Sequence, residues 1–311
     1  MDASTLIETY LRSDGVTSAC ATRRDLHPMT QTPQRHDAVA KRRVAYFTDT
    51  HLGQKLVMGG ALAGNKMRYD DQPEEHQSNL RLVLDDIARK GFSEVVFGGD
   101  IGTTQSVRGF FELLAGYGFA ASLILGNHDT YADVTKYWSH GDRGVAGKMC
   151  YSRDDGPLKY LFLDTSDNAV GDDQLAWLER ELKPASTVVL FVHHPVLAID
   201  TPLDQAGAAL KDREKLKALL TVAGCDIFAF CGHYHMDDER SEANIRQFVT
   251  PAVSYQIVKR AERIAIDANE VAYRMIDIDG IDIKTEVVRL ARPATSAEAI
   301  NVVGEVLQRP K

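Results

Sequence analysis

Five apolar runs along this 311-residue chain each lead into residues suited to holding a metal ion, and this repeated ending constrains the fold more than any other feature. Val44 to Phe47 runs into Asp49 and His51, and Val95 to Phe97 into Asp100. Ala121 to Leu125 leads to Asn127 and His128, Val188 to Val192 to His193, and Ile227 to Phe230 to His233 and His235. Short, continuous apolar runs read as strands buried on both faces. Carboxylates, an amide and imidazoles released at one edge of a sheet are the makings of a two-metal centre.

Between the runs lie helical patterns. Leu80, Val83, Leu84 and Ile87 repeat at amphipathic spacing within Ser78 to Arg89, and further helices fit Val107 to Leu114, Asp172 to Leu182 and Asp212 to Val222. Leu158 to Leu163 adds a strand. Ile245 to Val249, Val271 to Ile278 and Ile281 to Val288 form a late β-rich region, the last two joined by the hairpin signal Asp279-Gly280. Strand–helix alternation followed by an antiparallel tail predicts two packed sheets with helices outside. The chain divides into a polar N-terminal extension over residues 1–42, a domain over 43–290, and a tail or docking helix over 291–311, with apolar helical spacing from Ala297 to Gln308. The extension carries Arg23, Arg24, Arg35, Lys41 and Arg42 with Pro28 and Pro33, and suits a solvated leader or one that packs in a homodimer.

Composition narrows the partners. A net charge of -8 opposes bulk binding to nucleic acid, and no apolar run approaches the length of a membrane span. Met1 to Val16 lacks the cationic and apolar regions of a secretory signal. Cys20, Cys150, Cys225 and Cys231 show no paired spacing, which suits a reducing cytoplasm, with Cys225 and Cys231 as packing residues. The expected substrate is therefore small. His27, His36, His76 and His140 lie in polar segments and read as solvated.

Asp49 and His51 are two positions apart, so in an extended segment both point to one side, and His233 and His235 repeat the spacing. Oxygen and nitrogen donors without thiolate suit Mn, Fe, Zn or Co better than a structural zinc site. If seven ligands serve two ions about 3.5–4 Å apart, one carboxylate must bridge them. Asp100, on the turn Gly98-Gly99-Asp100, is placed to do so.

The series Asp49-Thr50-His51, Gly99-Asp100, Gly126-Asn127-His128-Asp129, His193-His194-Pro195 and Gly232-His233-Tyr234-His235 resembles the five blocks of the calcineurin-like metallophosphoesterase superfamily, in order. The resemblance implies an α/β (α+β) fold, a four-layer αββα sandwich of two mixed β-sheets flanked by helices. It also implies two divalent transition-metal ions (Mn, Fe or Zn): one held by Asp49, His51, Asp100 and His235, the other by Asp100, Asn127, His193 and His233. Two such ions, two carboxylates and a bridging hydroxide leave a net positive floor for an anionic phosphoryl group, and the hydroxide would attack phosphorus in line. His128 is outside the metal set in the family pattern and is expected to stabilise the phosphate or protonate the leaving group, with Asp129 orienting it. His194 is expected beside the metal ligands or facing substrate.

Departures from the pattern narrow the branch. The chain lacks the Asp-Arg-Gly and Asn-His-Glu of protein phosphatases, and has Thr103 where purple acid phosphatases carry a tyrosine ligand. His128 occupies the position where lipid A pyrophosphatases tend to have arginine. What remains is similar to small bacterial phosphodiesterases acting on cyclic nucleotides or glycerophosphodiesters, a likeness extended by Gln174-Leu175-Ala176-Trp177-Leu178. Phosphomonoesterase and nucleotide pyrophosphatase activity are the alternatives on the same site, followed by a non-catalytic metal-site scaffold. Gly53 to His76 reads as a loop able to form a lid, with Lys55 and Arg68 within reach of substrate.

Overall fold

The computed structural model describes residues 41–58, 67–138, 144–261 and 264–292. The first half of the chain forms β1 (Arg42–Phe47), β2 (Gln54–Met58), β3 (Met67–Asp71), α1 (Gln77–Arg89), β4 (Glu94–Phe97), α2 (Thr104–Tyr117), β5 (Ala120–Leu123) and α3 (Tyr131–Val134). The middle forms β6 (Tyr151–Asp155), β7 (Leu158–Leu163), α4 (Asp172–Leu182), β8 (Thr187–Val192), α5 (Pro202–Gln205), α6 (Arg213–Thr221) and β9 (Asp226–Cys231). The last elements are β10 (Asp238–Glu242), β11 (Ile245–Val249), β12 (Gln256–Ile257), β13 (Ile266–Asp267), β14 (Glu270–Asp279) and β15 (Asp282–Ala291).

Two mixed sheets carry the fold. One runs β15-β14-β1-β4-β5 and the other β10-β11-β9-β8-β7-β6, with parallel strands at the centre of each. The apolar runs are continuous because both faces of these central strands are covered. On β1, Tyr46 lies 5.5 Å from Phe191 of the opposite sheet, while the next residue, Phe47, meets Phe110 of α2. On β8, Val189 and Phe191 join the core between the sheets; Val188, Leu190 and Val192 join a second core with Leu178 and Leu182 of α4 and Leu216 and Leu220 of α6. α1 and α2 bury Leu80, Val83, Leu84, Val107 and Phe110 against the first sheet. The layers are thus helix, sheet, sheet, helix, as the resemblance implied. No helix among the described residues is long and apolar enough to cross a membrane.

Three local expectations change. The segment read as a loop is a hairpin, with β2 paired antiparallel to β3 and Leu56 opposite Tyr69. β6 and β10 add strands whose polar, charged sequences carry no run of apolar residues. His76, read as solvated, is buried at 6% exposure, because the chain leaving β3 turns into α1 against the Tyr255 ring, 6.0 Å away. The apolar spacing over 297–308, most of the extension, His27, His36 and His140 lie outside the described residues.

Candidate metal centre

The ends of β1, β4, β5, β8 and β9 open onto one edge, and the chain turns sharply there. Asp49, His51, Asp100, His233 and His235 all have left-handed φ, from +44° to +67°. Such residues persist only where their surroundings over-determine them, and they cluster at functional sites. Here the ligand-bearing turns bond one another: Asp49 N–H donates to Gly99 O (2.9 Å), Thr50 N–H to Asp100 O (2.9 Å) and Gly232 N–H to His193 O (3.0 Å). Two glycines permit this crowding. A Cβ on Gly126 would fall 2.1 Å from Asp100 Oδ1, and one on Gly232 would fall 2.5 Å from Asp49 Oδ2.

Both carboxylates are buried and divide their oxygens between the protein and the centre. Asp100 Oδ1 accepts from His128 N–H (2.8 Å), which leaves Oδ2 facing His193 Nε2 at 3.3 Å and His51 Nε2 at 3.7 Å. Asp49 Oδ2 accepts from the Thr48 hydroxyl (2.8 Å) and His233 N–H (3.0 Å), and Oδ1 lies 3.3 Å from His235 Nε2.

The imidazoles follow one rule. His51 Nδ1–H donates to Gln54 Oε1 (2.8 Å), His193 Nδ1–H to Gly98 O (2.8 Å), His233 Nε2–H to Ala208 O (2.9 Å) and His235 Nδ1–H to Tyr255 O (2.9 Å). Each outer nitrogen meets an oxygen that accepts, so each ring, when neutral, turns the lone pair of its inner nitrogen toward the centre. The inner nitrogens of His51 and His235 then face each other at 3.2 Å with no proton between them, while His193 Nε2 and Asn127 Oδ1 are buried without a partner. Lone pairs aimed at one another in a dry site need a cation, and these residues fit metal ions. The donors gather as Asp49, His51 and His235, and as Asp100, His193 and His233, with Asp100 also grouped with His51 and His128.

Electrostatics agree. Burial pushes the Asp49 carboxyl up, but His235 and His193 outweigh it and hold it at about 2. Burial lowers His51 to about 3 and His233 to about 4, each helped by a neighbouring imidazole. Burial would also lower His193, yet Asp100 and Asp49 raise it to about 10. Without metal, a proton on His193 is the positive charge these carboxylates attract.

The remaining expected residues separate from this set. His128 Nδ1 is 3.2 Å from Gln54 Nε2, and its ring stands edge-on to His51 (4.8 Å) and to Tyr69 (4.9 Å). Asp129 does not orient it. The Asp129 oxygens accept three backbone N–H groups, from Asp100 (2.7 Å), Ile101 (2.8 Å) and Gly126 (2.9 Å), and burial followed by the Asp100 charge raises its carboxyl to about 7. It therefore ties the Asp100 and Asn127 turns together. His194 is buried behind His233, with Nδ1 on Thr165 Oγ1 (2.8 Å) and Nε2 on Asn168 Oδ1 (3.1 Å), so neither nitrogen is left to face substrate. Lys55 and Arg68 lie on the opposite hairpin face from Leu56 and Tyr69, and Arg68 pairs with Asp70. The inner face instead carries Tyr69, stacked on His51 at 5.1 Å and hydrogen-bonded to the Tyr255 hydroxyl. Gln54 is the contact residue that the blocks did not reveal; its only sequence signal is its place three residues after His51.

Fold and centre together define a metal-dependent hydrolase built on paired sheets. The family model for calcineurin-like phosphoesterase matches residues 42–237, and the chain belongs to that family of phosphoesterase hydrolases, whose site is typically dimetal. A "probable cyclic nucleotide phosphodiesterase" of Fibrobacter succinogenes is 25% identical over 240 residues, covering 75% of this chain and 93% of the relative. A "probable glycerophosphodiester phosphodiesterase GpdQ" of Arcobacter nitrofigilis is 27% identical over 205 residues, 62% of this chain and 71% of the relative. The fold alone is shared with a dimetal phosphatase from Danio rerio (TM-score 0.53, 14% identity, 82% of this chain and 99% of that one). It is shared also with a purple acid phosphatase from yellow lupin (TM-score 0.57, 12% identity, 82% and 52%).

Proposed function

We propose that this protein is a dinuclear-metal phosphodiesterase acting on a small phosphodiester. The observation that carries the metal centre is the set of four imidazoles that each donate the outer N–H to an oxygen and turn a bare nitrogen inward. Asp49, His51, Asp100 and His235 would hold one ion, and Asp100, Asn127, His193 and His233 the other, with Mn, Fe or Zn suited to the donors. When bound, two such ions supply Lewis-acid charge to the phosphoryl oxygens and lower the pKa of water enough to make a nucleophile at neutral pH. Asp100, whose Oδ2 faces His51 and His193 alike, would be the ligand shared by both ions. His128, beside this centre, holds a proton for the leaving oxygen.

The diester reading draws on two supports. The curated relatives are named as phosphodiesterases, and the hairpin side chains that touch His51 are a tyrosine and an amide, both uncharged. A diester phosphoryl carries one negative charge where a monoester carries nearly two, and so asks less of uncharged neighbours. Hydrolysis of bis-p-nitrophenyl phosphate, p-nitrophenyl phosphate, cyclic nucleotides and glycerophosphodiesters with Mn, Zn, Fe or Co tests it. Diesters should be the better substrates; a preference for the monoester would overturn the reading.

A further inference from the structure

Gln54 touches both His51 and His128, and an amide offers one acceptor and one donor edge. We propose that Gln54 is a positioning residue that couples the ligand tautomer of His51 to the proton-bearing nitrogen of His128. The argument runs from the centre outward. As a metal ligand beside Asp100 Oδ2 and His235 Nε2, His51 would turn its Nε2 lone pair to the ion and keep its proton on Nδ1. Nδ1–H requires an acceptor, which fixes the Gln54 oxygen toward His51. The Gln54 NH₂ is then turned to His128 Nδ1, 3.2 Å away, and that nitrogen has to accept. His128 consequently carries its proton on Nε2.

One amide thus transmits the demand of the metal ligand to the ring whose Nε2–H donates to the leaving oxygen. Asp129, whose oxygens serve three backbone N–H groups, takes no part. The hairpin brings the residue there: Gln54 opens β2 directly after the His51 turn, and its cross-strand partner is Asp71. Neighbouring rings hold the geometry, since Tyr69 packs flat on His51 and edge-on to His128.

The proposal rests on His128 donating its Nε2–H as a hydrogen bond to the leaving oxygen in the diesterase, but its test needs no turnover. Long-range ¹⁵N–¹H spectra of the zinc-loaded, ¹⁵N-histidine-labelled full chain read each tautomer directly. Wild type should show His128 protonated on Nε2 and bare on Nδ1. In Gln54→Met, which keeps the side-chain length without hydrogen bonds, the His128 tautomers should mix. In Gln54→Glu, whose oxygens accept from both rings, His128 should gain Nδ1–H while His51 keeps its own. Turnover of a diester with a poor alkoxide leaving group should fall roughly 10- to 100-fold in Gln54→Met, through kcat more than KM, and far less for a nitrophenolate leaving group. Wild-type His128 protonated on Nδ1, or a tautomer unmoved in both variants, would overturn the proposal.

Discussion

Asp129→Asn gives a prediction that separates two roles for one residue. The wild-type carboxylate places Oδ2 on the N–H groups of Asp100 and Gly126 and Oδ1 on that of Ile101. An asparagine can satisfy two of these bonds with its oxygen, but its NH₂ must then oppose the third N–H. The loss is one charge-assisted bond, about 1.5–3 kcal/mol, plus one buried orphan donor, about 1–3 kcal/mol, or roughly 2.5–6 kcal/mol in all. For a domain of this size each kcal/mol moves Tm by about 2–4 °C, so the variant should melt roughly 5–24 °C lower. The assay is thermal unfolding of the zinc-loaded proteins at pH 8. Any activity lost should fall equally on good and poor leaving groups. A variant with unchanged Tm that is defective only toward poor leaving groups would refute the scaffold role and restore Asp129 as the partner of His128.

Three further outcomes follow from the same geometry. Asp100→Ala removes the shared carboxylate and should abolish metal retention or leave hydrolysis undetectable; near-normal turnover by the purified variant would refute the bridging role. His128→Ala should keep its metal, measured by elemental analysis, while turnover of a diester with a poor leaving group slows roughly 100- to 10,000-fold. Metal uptake should release a proton from His193, which Asp100 and Asp49 raise to about 10 against the effect of burial. Because the ligand must be neutral, apparent affinity should rise about tenfold per pH unit from pH 7 toward that value. Calorimetry in buffers of different ionisation enthalpy counts the proton, and zero release would contradict the assignment.

What could be read in advance follows from what each signal depends on. The strand ends were legible because a strand covered on both faces must be apolar throughout, so Asp49, Asp100 and His193, themselves buried, stand out where the apolar run ends. The polar strands β6 and β10 gave no such contrast. Gln54 was missed because its partner His128 lies 74 positions away and only the packed hairpin brings them together. The outward placement of Lys55 and Arg68 follows from strand alternation, which a segment taken for a loop does not display. Asp129 misled for a related reason: adjacency to His128 suggested a side-chain pair, whereas the turn spends its oxygens on backbone N–H groups.

The most direct test of the central claim is to strip the purified protein with chelator, add back Mn or Zn, and count bound ions while following hydrolysis of bis-p-nitrophenyl phosphate. Bare inward nitrogens on His51, His193, His233 and His235, with Asp100 shared, predict about two ions per chain and hydrolysis that returns as the second ion binds. Fewer than about one ion per chain, with no metal-restored hydrolysis, would contradict the claim and leave the centre as a scaffold.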